Sequence, residues 1–176
     1  MEVIDLNGEG EWSHVRVRER YAAYCAALGI IGERDFQPTE HNEEDKKWIH
    51  PILSKVIEGI VAADAACIAI GIDLIEEDQF LPGGRIFKSN TARALRRTVL
   101  NTAQQARLRK RIVYMLIAGI IPREFREYSK LLRTIGVAEY WPELHACVPR
   151  ENPFAMRFYS ALVQNDPAAK LTGPHN

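Results

Sequence analysis

Cysteine is scarce in this 176-residue chain, and the three present, Cys25, Cys67 and Cys147, lie far apart. An odd, scattered set excludes a disulfide framework, and no pair has the spacing of a zinc site. Each sits in an apolar setting, which predicts buried free thiols in a reducing compartment. A long uncharged run is missing as well. A bilayer span needs about 20 residues almost free of charge, and Glu58, Asp64 and Asp73 interrupt the longest apolar stretch. No membrane partner is expected. The first residues, Met-Glu-Val-Ile-Asp, lack the apolar segment of a signal peptide, so a cytoplasmic protein is expected. No segment reads as a strand, and there is no internal repeat or low-complexity run.

Reactive constellations are also absent. His14, His41, His50, His145 and His175 are scattered, and no Gly-x-Ser-x-Gly elbow exists. His145 and Cys147 are two apart and would not face each other on a helix. Gly83-Gly84-Arg85-Ile86-Phe87-Lys88-Ser89 lacks the glycine that a phosphate loop places before its Lys-Ser pair. What remains there is a basic turn at a helix start. A di-iron bundle needs paired Glu-x-x-His motifs, and only Glu11-Trp12-Ser13-His14 is present. No catalytic residue, metal ligand or cofactor is nominated, and a non-enzymatic protein is expected.

What the chain does have is helical periodicity. Nearly half of it is hydrophobic, enough for a real core. From Pro51 to Asp78, Ile52, Val56, Ile60, Cys67 and Leu74 make one row. Leu53, Ile57, Val61, Ile68 and Ile75 make another beside it. An arc this wide predicts a helix buried on most sides. As one rod it would run about 42 Å at 1.5 Å per residue, so a bend is expected at Gly71.

Around that rod, helices are expected from Glu11 to Leu28, from Thr91 to Leu100 capped by Ser89 or Asn90, and from Gln104 to Ala118. Others are expected from Pro122 to Ile135 and after the Asn152-Pro153 pair. Asn42 is expected to cap a short helix begun by Glu43-Glu44-Asp45. The fold class is therefore all-α: one bundle of about six to seven helices around a long central helix. It would occupy 11–164, with a flexible stretch at 1–10 and a disordered tail at 165–176.

Charge is zero overall but unevenly spread. Up to Gly83 there are 7 Lys and Arg against 17 Asp and Glu; from Gly84 to Arg133 there are 13 against 2. Such asymmetry points to a polyanion partner or to charge-guided assembly. The basic stretch contains Arg107-to-Val137, with an apolar helix end, an Ala118-Gly119 turn and a Pro122-Arg123-Glu124-Phe125 restart. It resembles the helix-turn-helix segment of bacterial regulators, including response-regulator types. The resemblance implies DNA recognition by a helix. If 122–135 is the supporting helix, the reader is 138–147, which has Pro142, Glu139 and Glu143 and no Arg or Lys. If 122–135 is itself the reader, Arg123, Arg126, Lys130 and Arg133 reach phosphates or base edges. Met115 is larger than the residue usual where such helices cross.

The expected function is DNA or RNA binding. Its candidate residues are Arg85, Lys88, Arg93, Arg96, Arg97, Arg107, Lys110, Arg111, Arg123, Arg126, Lys130 and Arg133. The alternative is a protein-interaction or homo-oligomeric subunit whose acidic and basic halves are complementary.

Overall fold

The computed structural model describes residues 2–31 and 36–165. The expected disordered tail lies almost wholly outside them. The chain divides into two compact units, Met1–Val99 and Leu100–Asn176. It is mostly helical, as expected, but carries a small sheet that the all-α reading omitted.

The first unit opens with strand β1 (Glu2–Asp5), inside the stretch expected to be flexible. β1 runs parallel to β3 (Lys46–Ile49), which pairs antiparallel with β2 (Glu40–Glu43), in the order β1-β3-β2. The residues expected to start a helix at Asn42 thus form a hairpin, turning at Glu44 with φ +53°. The acids do suit a helix start. Pairing with β1 and a 2.7 Å bridge from Lys47 to Glu40 across the hairpin favour the strand instead. Four residues per strand are too few to display a period of two.

Helix α1 (His14–Leu28) is capped by Ser13 and ends on Gly29 at φ +64°. Its Val17, Tyr21 and Cys25 are buried. The expected single rod is two helices, α2 (Leu53–Val61) and α3 (Ala65–Glu77). The break lies at Ala63, in the left-handed region at φ +59°, and not at Gly71. Asp64 explains the position. Its carboxylate accepts from the backbone N–H of Ala66 (2.9 Å) and Cys67 (3.0 Å), starting a new helix. Gly59 meanwhile lets α2 approach Cys67 of α3. The central post is therefore α3 alone, buried from Ala66 to Ile75 except at Ala69, and packed by α1, α2 and α4. Helix α4 (Gly84–Arg97) starts seven residues before the expected Thr91, from Gly83 at φ +63°. Ser89 and Asn90 are thus inside it and cap nothing.

The second unit holds α5 (Thr102–Ile117), α6 (Phe125–Ile135), α7 (Trp141–Cys147) and α8 (Pro153–Asn165). Leu108, Ile112, Met115 and Leu116 of α5 join Phe125, Tyr128, Leu131 and Leu132 of α6, Trp141 and Leu144 of α7, and Leu162 of α8 in one core. Asn101 and Gln104 form a reciprocal cap at the start of α5, each bond 2.9 Å. Replacing Asn101 with alanine should destabilise this unit by about 1 kcal/mol in urea unfolding. Buried Arg109 donates from Nε to the Gly136 carbonyl (2.9 Å) and from Nη2 to that of Ile135 (3.1 Å). It thereby satisfies the carbonyl end of α6 and is not available to solvent.

Candidate nucleic-acid interface

Helix α6 is sharply two-sided. Phe125, Tyr128, Leu131 and Leu132 face the core, which leaves Arg126 and Arg133 exposed and Lys130 at the edge. Helix α8 lies beside it, held by Phe158, whose ring meets that of Phe125 edge-on at 5.0 Å. Asn152 caps α8, accepting from the N–H of Phe154 and of Ala155 at 3.1 Å each. That start fixes the phase of the helix and brings Arg157 to the α6 side. The result is a cavity of about 510 Å³ lined by Arg126, Ser129, Lys130, Arg133, Arg157, Phe158 and Ala161.

The charges here are poorly neutralised. Lys130 bridges to Glu127 at 2.9 Å. Among the described residues, no carboxylate pairs with Arg126, Arg133 or Arg157, all three exposed. Guanidinium groups gathered without counterions repel one another, so an anion in the groove relieves that repulsion. The second unit as a whole carries 11 Lys and Arg against 6 Asp and Glu; the first carries 12 against 17.

The twelve expected contact residues are divided between the two units. Arg85, Lys88, Arg93, Arg96 and Arg97 belong to α4 in the first unit, and the other seven to the second. Lys88 is a correction. It is 7% exposed and bridges to Asp78 at 2.5 Å, so it does not reach a phosphate. Burial of an unpaired ammonium would be costly, which is why Asp78 accompanies it. Arg93 donates to Asn90 at 3.1 Å and, with Arg85, lines an open pocket at the Pro82-Gly83-Gly84 turn. Arg97 is exposed and Arg96 half-buried.

On α5, Lys110 is exposed, while Arg107 and Arg111 are half-buried, with the Arg111 guanidinium 5.9 Å from the Tyr114 ring centre. Arg123 is exposed ahead of α6. Only Arg126, Lys130 and Arg133 of the set line the α6/α8 groove.

Arg157 was missed. The residues after Arg133 balance to about neutral, so the charge count passed over it. The signal was in the spacing: Phe154, Arg157, Phe158 and Ala161 follow i, i+3, i+4, i+7, one stripe of a helix. The helix-turn-helix resemblance also meets a difference. Residues 118–124 separate α5 from α6, longer than the turn of about three to four residues in that motif.

Elsewhere, Cys25 and Cys67 are buried as expected, but Cys147 is exposed at the end of α7. His145 contacts the Tyr159 hydroxyl at 2.6 Å and stacks near Trp141, which ties α7 to α8. In the first unit, Nδ1 of His41 and Nε2 of His50 are 2.7 Å apart, so one ring donates to the other. Among the described residues, no group of three or more His, Cys, Asp or Glu is placed to hold a metal, and no helix is long and apolar enough to cross a membrane. No protein-family model, curated protein or solved structure matches the chain.

Proposed function

We propose that this chain is a non-enzymatic helical module that binds nucleic acid, with the α6/α8 groove as its contact surface. The observation that carries this reading is the gathering of Arg126, Arg133 and Arg157, without carboxylate partners, around Lys130. Lys88, by contrast, is neutralised in place by Asp78. Basic residues held free at a groove are what phosphate contact requires.

The test is binding of a labelled nucleic acid by the full chain across a salt series. Affinity should fall as salt rises, because each neutralised phosphate releases counterions. The triple variant Arg126→Ala, Arg133→Ala, Arg157→Ala should weaken binding about tenfold at low salt and flatten the log–log salt slope by about 2 to 3. A slope unchanged by the triple variant would remove the groove from the reading.

A second reading, a protein-interaction or assembly subunit, draws on the first unit. Phe80 is 95% exposed and Ile86 63% exposed beside Arg85 and Arg93, and large apolar groups in such a position suit a protein partner. Sedimentation that stays monomeric at every salt concentration would count against self-assembly.

A further inference from the structure

We infer that the α6/α8 groove accepts a single strand of nucleic acid in preference to a duplex, an inference that rests on the nucleic-acid reading above. A duplex is read by one helix, about 10–12 Å across, entering a major groove of about 12 Å. Here the cations face a channel between two neighbouring helices. Packed helices lie with axes about 8–10 Å apart, so α6 and α8 together are too broad to enter a major groove. A duplex could touch only the rim of the channel. A single strand is thin enough to lie along it.

The chemistry of the lining points the same way. Single strands are held by cations along the backbone together with aromatic faces on which bases stack. On α6, Arg126, Lys130 and Arg133 follow i, i+4, i+7 and form a rail about 10 Å long. On α8, Phe158 lines the cavity, and Phe154 stands one turn earlier with 67% of its surface exposed. Arg157 falls on the same stripe. A phenyl as exposed as that of Phe154 contributes little to the fold, whereas stacking would use its face whatever the base. The cavity of about 510 Å³ falls within the range of about 300–1,000 Å³ usual for small-molecule pockets. Major-groove readout by a single inserted helix, by contrast, works on base edges and does not call for the stacking faces of Phe154 and Phe158.

The experiment uses the full chain and labelled 12-nucleotide oligo-dT, oligo-U and a 12-base-pair duplex, all at one salt concentration. The single strands should bind at least tenfold more tightly than the duplex. Phe154→Ala, at an exposed site, should weaken single-strand binding about fivefold to tenfold and leave duplex binding unchanged. Phe158→Leu keeps an apolar contact with Phe125 and should act in the same direction. Duplex binding as tight as single-strand binding would overturn this inference and leave the nucleic-acid reading standing. Single-strand binding that both phenylalanine variants leave intact would overturn it as well. Failure of all three probes to bind would overturn both.

Discussion

Arg20→Met is expected to destabilise the first unit by about 3 kcal/mol, seen as a lower urea midpoint at unchanged slope. Arg20 projects from α1 toward the end of α3. Its Nη1 and Nη2 donate to the two carboxylate oxygens of Glu77 at 2.6 and 3.1 Å, and Nη1 reaches Asp73 at 3.5 Å. Trp12 completes the arrangement: its Nε1–H donates to Glu77 at 2.8 Å, and the guanidinium lies 4.7 Å over its ring.

Burial works against the Arg20 charge. The hydrogen bonds and charge of Glu77, with Asp73 and Glu11 behind it, outweigh burial and raise the pKa above the usual arginine value. Methionine fills much of the space but removes the guanidinium from beside Asp73, which is only 7% exposed and also accepts from the Tyr24 hydroxyl at 2.7 Å. The loss expected from breaking a buried pair is about 3–5 kcal/mol, and partial solvent access places Arg20 at the low end. Glu11→Gln is the contrast. That carboxylate is exposed and 3.8 Å away, so its loss should stay within about 0.5 kcal/mol. Equal effects from the two substitutions would show that the network is not what joins α1 to α3.

Gly59→Ala is expected to cost about 2 kcal/mol net. Helix propensity alone predicts the opposite, a gain of about 1 kcal/mol on replacing glycine inside α2. A Cβ at this position would collide with Sγ of Cys67 and sit 2.7 Å from its Cβ. The Cβ of Cys67 cannot rotate away, so α2 and α3 would have to separate. Overpacking of this kind costs about 1–3 kcal/mol and at times more. Cys67→Ala in the same chain should recover only part of the loss, because it removes Sγ and keeps the Cβ. A stabilised Gly59→Ala variant would mean the two helices do not approach as closely as described.

Much of the helical layout was legible because its signals are local. Gly29, Asn101 and Asn152 mark helix ends by their own chemistry, and the inward rows of α5 and α6 follow the 3.6 period. The buried core of α3 was visible in the same way.

What escaped depended on distant partners or on a residue with two roles. In the sequence Asp64 only interrupts an apolar run, whereas in the fold its carboxylate caps α3 and sets the break. Lys46 to Ile49 becomes a strand because β1, more than 40 residues earlier, pairs with it. The basic segment was legible as a charge count, but composition does not reveal which cations are neutralised. Lys88 has Asp78 within reach; Arg126 and Arg133 have Arg157 for a neighbour, which lay outside the segment the count singled out.

The small sheet has a consequence for how copies of this chain meet. Both of its outer strands are short, and each begins and ends with an acid: Glu2 and Asp5 on β1, Glu40 and Glu43 on β2. Open strand margins ordinarily invite another chain to add on through its backbone. Here an approaching copy would set carboxylate against carboxylate at neutral pH. Growth of the sheet between molecules is thereby discouraged.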